Sequence, residues 1–78
     1  EEPKMTARPF PDKSQLETLE RIVDATSLEN VTAALAGIAD AKADHIRINW
    51  QDKLLAREWD KASAILLRAA NRINSIGA

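Results

Sequence analysis

From Leu16 onward the apolar residues recur every three or four positions, a spacing that predicts three helices. Leu16, Leu19, Ile22 and Val23 share one face of the first, expected over residues 14–25. Ser14 with Glu17 three residues later has the pattern of a capping box, in which a hydroxyl and a carboxylate satisfy orphan backbone N–H groups. Thr26-Ser27-Leu28-Glu29 repeats that signal and opens a second helix, expected over residues 27–49. Leu28, Val31, Leu35, Ile38 or Ala39, Ile46 and Trp50 keep helical spacing there. In the third helix, expected over residues 52–74, Leu55, Trp59, Ala62, Leu66, Ala69 or Ala70, and Ile73 form one stripe. Strand-like alternation competes nowhere.

Asn49-Trp50-Gln51-Asp52 offers the break between the second and third helices: Asn49 can end one, and Asn49 or Asp52 can cap the next. Nothing there forbids helix, so a single long rod is the alternative, and its exposed stripe would require a dimer or larger assembly. Short connections usually join antiparallel neighbours, which favours a hairpin. The expected fold is all-α: a small three-helix bundle, or a helical hairpin plus a short first helix, behind an extended arm over residues 1–13. That arm holds all three prolines, and Pro9-Phe10-Pro11 favours a polyproline-like path because proline fixes φ and restricts its predecessor. Phe10 is either an anchor docking on the helices or part of a loose tail. Met5 is a natural start, which would make residues 1–4 an addition ahead of it.

Composition sharpens the picture. Fourteen alanines and only two glycines favour helix, since Ala loses no side-chain entropy on entering one. The helices are thin, however, and bury little area each; two Trp, one Phe and no Tyr leave few large groups for a core. At 78 residues the chain is one domain near the lower limit for self-sufficiency, so self-association or a partner is expected. Ala33, Gly37 and Ala41 form a second row on another flank of helix two. Gly37 costs about 1 kcal/mol against Ala in a helix interior. Close packing of another helix, in a bundle or a homodimer seam, would explain its presence.

Candidate chemistry is sparse. There is no Cys, which removes disulfides, thiolate zinc sites and thiol catalysis and fits a cytoplasmic protein. No apolar run approaches the roughly 20 residues of a membrane span, and the first residues lack the apolar stretch of a signal peptide. The formal charge of −1 gives no global attraction to nucleic acid. His45 is the single histidine, yet adjacent helical residues diverge by about 100°, so Asp44 is poorly placed to orient its ring. Asp40 and Asp44 share a face but lack a third ligand. No serine has a histidine at motif spacing and neither glycine belongs to a phosphate loop. No enzyme, cofactor or metal is expected.

Three groups of residues carry the interaction readings. Continuing the spacing of Leu28 to Ile38 leads to Lys42, His45 and Asn49, polar residues that can set register in an assembly or merely flank a core. Trp59 is expected in the core, whereas Trp50, at the break, is the interface candidate. Arg57, Lys61, Arg68 and Arg72 lie close to one line, with Lys53 beside it, opposite the apolar face of helix three. They could meet phosphates, although Glu58 and Asp60 are nearby and the spacing of a helix-turn-helix is lacking.

Ser27 to Val31, Lys42 to Arg47, Asn49 to Asp52 and Leu55 to Ala62 together resemble short helical proteins of bacteria and their mobile elements. The resemblance spans about two-thirds of the chain, leaves out the three-proline arm, implies a bacterial or phage context, and transfers no activity or site. The expected function is a small non-enzymatic protein–protein interaction module, an adaptor, regulator or inhibitor, with a protein partner or a second copy. Its interface would include Trp50, Lys42, His45, Asn49 and Gly37. The alternative is a nucleic-acid-associated factor using Arg57, Lys61, Arg68 and Arg72.

Overall fold

The computed structural model describes residues 9–77, so Met5 and most of the arm lie outside the described residues. Asp12, rather than Ser14, caps helix α1 (Lys13–Ala25). Its carboxylate accepts the Gln15 N–H at 2.9 Å, and the Gln15 side-chain oxygen accepts the Asp12 N–H at 2.9 Å. A charged acceptor is favoured over a hydroxyl at the positive end of a helix, which moves the start forward. α1 ends at Thr26, which leaves helical backbone angles (φ −121°, ψ −93°) while its amide and its hydroxyl both still donate to the Ile22 carbonyl, at 3.1 and 2.8 Å. Ser27 then caps helix α2 (Leu28–His45) by accepting the Asn30 N–H at 3.0 Å, as its position predicts.

A π-helical turn, Ile46–Trp50, extends α2. Gln51 follows in the left-handed region (φ 54°, ψ 29°), and Asp52 caps helix α3 (Lys53–Ser75) by accepting the Leu55 N–H at 3.0 Å. The left-handed residue, unfavourable for a side chain with a Cβ, turns the chain back and rules out the single rod. Asn49 serves the turn, donating to the His45 carbonyl at 3.1 Å, and caps nothing.

What holds α2 against α3 keeps Ile46 and, of the paired alternatives, Ala39 and Ala70 from the expected stripes, and otherwise differs from them. The buried residues of α2 and its π turn are Thr32, Ala36, Ala39, Ala43 and Ile46; those of α3 are Ala56, Ser63 and Ala70. Steps of four and three along α2, and of seven along α3, form an antiparallel coiled-coil seam of small residues. Small facing residues bring the backbones together, and Ser63 Oγ then donates to the Ala36 carbonyl across the seam at 2.9 Å. Trp59 and Leu55, half-buried, pack on the cluster of Ala43, Ile46 and Ala56. The bulky positions predicted as core, Leu28, Leu35 and Ile38, stand 46, 43 and 54% exposed. Seating them in the seam would push apart two helices whose alanines match each other.

Helix α1 buries no residue. It meets only α2, and none of its Cα atoms lies close to α3. The radius of gyration, 14.0 Å, exceeds the roughly 11 Å of a compact chain of this length. The architecture is therefore all-α, a helical hairpin plus a short first helix. Phe10, 82% exposed, does not dock on the helices. No strand occurs among the described residues.

The seam makes an inverted prediction about size. Ala43→Leu should destabilise the chain by about 1–3 kcal/mol, because overpacking forces a tight interface apart. Leu54→Ala, at a 74% exposed position, should stay within about 0.5 kcal/mol of the parent. Urea titrations followed by circular dichroism check both.

Candidate interaction surface

The hairpin has two unlike sides. In an antiparallel pair, residues displaced the same way around each helix from the seam fall on the same side. One side carries Ala33, Gly37 and Asp40 of α2 with Leu67 of α3, which together line a shallow groove of about 340 Å³. It is closed by Arg47, whose guanidinium donates to Asp60 at 2.6 Å and to Asp44 at 2.8 Å. Both ion pairs are partly exposed, so their contribution is small. Their effect is geometric, since they tie the π turn to the body of α3.

The opposite side is apolar. Leu28, Leu35 and Ile38 stand along its α2 edge, and Trp59, Leu66 and Ile73, all half-buried, slope up from α3. Lys42, His45 and Asn49 continue the α2 edge and are exposed. Trp50, 44% exposed, sits at the end of the π turn. Thus Lys42, His45 and Asn49 adjoin one apolar rim, while Gly37 lies on the other side of the hairpin. Trp59 presents a defect: its indole Nε1 is buried without an acceptor among the described residues, an arrangement that typically costs about 1–3 kcal/mol.

The expectation that another helix of the bundle packs closely on Gly37 is corrected. Gly37 is exposed, and a Cβ built on it meets nothing within 4 Å. The buried seam runs one helical flank away from the Ala33, Gly37 and Ala41 row, of which Gly37 and Ala41 are exposed and Ala33 is half-buried.

The polar residues do not assemble into a reactive constellation. Asn49 Nδ2 lies 3.1 Å from His45 Nδ1, which makes that nitrogen an acceptor and places the ring proton of the neutral tautomer on Nε2. Asp44 is engaged with Arg47. Among the described residues no three His, Asp or Glu side chains converge to hold a metal ion, and no helix is long and apolar enough to cross a membrane. On the outer face of α3, Lys61 reaches Glu58 at 3.7 Å. Arg57, Arg68 and Arg72 are exposed, with no carboxylate of the described residues within 4.0 Å. No family model, curated protein or solved structure matches the chain.

Sequence reasoning missed Ser63 and the Arg47–Asp60 tie. A signal for the seam was present: Ala36 and Ala43, like Ala56, Ser63 and Ala70, recur every seven residues. The period of small residues marked the contact better than the period of large ones.

Because Gly37 has free space around it, Gly37→Ala should stabilise the chain by about 1 kcal/mol through helix propensity alone. For a domain of this size that raises the melting temperature by roughly 4–8 °C. A thermal melt showing a fall instead would mean that the glycine is needed for close packing.

Proposed function

We propose that this chain is a non-enzymatic protein–protein interaction module of the cytoplasm, an adaptor, regulator or inhibitor, using the apolar rim and the neighbouring Trp50. One observation carries the reading. Among the described residues the buried apolar side chains are five alanines and one isoleucine, while Leu28, Leu35, Ile38 and Trp50 stand exposed around the rim. Contiguous exposed apolar surface of this kind marks a binding face, and Trp is enriched among the residues that dominate binding energy. Lys42, His45 and Asn49 would supply the polar border such faces carry.

Affinity capture with the tagged chain from its source cells should retain one polypeptide at low and high salt alike. Trp50→Ala and Leu35→Asp should each weaken retention at least tenfold while helicity by circular dichroism stays within error of the parent. Undiminished retention by both variants would remove the rim and Trp50 from the interface.

A second reading, nucleic-acid contact, is supported by Arg57, Arg68 and Arg72, which lack carboxylate partners among the described residues and share the outer face of α3 with Lys61. Three phosphate contacts would give a slope of about −3 for the logarithm of the binding constant against that of salt. Reversing Arg57 and Arg68 to Glu should abolish such binding. No mobility shift of DNA or RNA at low salt would eliminate this reading.

A further inference from the structure

We infer that the occupant of the apolar rim is a second copy of this chain, which lays its α1 there and receives the first copy's α1 in exchange. This rests on the reading of the rim as a binding face and names its partner. The chain carries two unsatisfied surfaces of the same kind. Leu16, Leu19 and Ile22 of α1 are 41, 39 and 46% exposed and form one stripe, although the helix is capped at both ends. The rim of the hairpin is the other.

Within one copy the two surfaces are held apart. Only Thr26 and Ser27 join α1 to α2, and α1 meets α2 alone: none of its Cα atoms lies close to α3, whose Trp59, Leu66 and Ile73 form the far slope of the rim. Two copies related by a two-fold axis satisfy both stripes and both rims with the links unchanged, as an isologous interface demands.

The dimensions agree. A helix of 13 residues is about 20 Å long and 10 Å across. Seating half its circumference covers roughly 300 Å² of helix and a similar area of rim. Each copy contributes one stripe and one rim, so the exchange buries roughly 1,200 Å² in all, where stable specific interfaces begin.

The test uses the full chain and its freedom from cysteine. Sedimentation equilibrium at micromolar concentration should give twice the chain mass of 8.6 kDa. Leu19→Asp and Leu35→Asp should each give monomer at every concentration tested, and their mixture should form dimer only at higher concentration than the parent, because it keeps a single stripe–rim pair of roughly 600 Å², half of the full exchange. A dimer from either variant alone would overturn the exchange in favour of stripe-to-stripe or rim-to-rim contact. Should these variants unfold, a mixture of Leu19→Cys and Leu35→Cys copies, oxidised under native conditions, still decides the matter. The mixed disulfide should exceed either symmetric one by tenfold or more, and equal yields would overturn the proposal. A monomeric parent chain likewise overturns self-association but leaves the interaction-module reading standing if capture retains a different polypeptide; that reading fails only if no protein is retained.

Discussion

Contact between α2 and α3 is centred on alanine, and close approach of two backbones is its physical consequence. At that distance a serine hydroxyl is long enough to reach a carbonyl on the other helix, which is how Ser63 comes to bond Ala36. At that distance, too, a leucine does not fit. Apart from Ile46, which is buried at the π-turn end of the seam, the larger apolar residues named above lie at its margin, as Trp59 and Leu55 do, or outside it, as Leu35 and Ile38 do. The polar and apolar sides of the hairpin follow from the same constraint, because a narrow seam leaves wide shoulders on both helices.

Burying alanines removes little apolar surface from water per residue ordered, while the entropy cost of fixing each backbone unit is the same as anywhere else. A hairpin built this way relies on dispersion contacts at short range, on good caps and on whatever covers its shoulders. The caps are well made: Asp12, Ser27 and Asp52 each accept a backbone N–H at about 3 Å. The shoulders are left open on one side and tied by Arg47 and Asp60 on the other. Isolated helices of the length of α1 are marginal in water, so an unburied apolar stripe on that helix is a surface in need of a second layer.

The polar groups around the π turn are engaged with one another. Asp44, which adjoins the single histidine in sequence, turns to Arg47. Asn49 occupies one ring nitrogen of His45 while it satisfies a carbonyl of the widened π turn. These residues are occupied in shaping the end of the hairpin. That places Trp50 where the chain leaves the turn, beside the strained Gln51 that reverses it.

Helix number, approximate ends and the hairpin break were legible in the sequence because each depends on local chemistry. Caps act within three residues, alanine favours helix wherever it stands, and Asp52 caps with its own carboxylate. The choice of Asp12 over Ser14 was a contest between two local signals, and the charged acceptor prevailed. The identity of the core was not legible by the same means. Periodicity shows that a helix has an apolar face, but α2 has two candidate stripes only a short rotation apart, one bulky and one small. Which of them is buried depends on the residues presented by α3, and a helix of Ala56, Ser63 and Ala70 can be matched closely only by another row of small residues. Likewise, nothing in residues 13–27 says whether α1 lies along the hairpin or leaves it. The backbone angles of the two-residue link set that direction, and only the folded chain shows that α1 meets α2 alone.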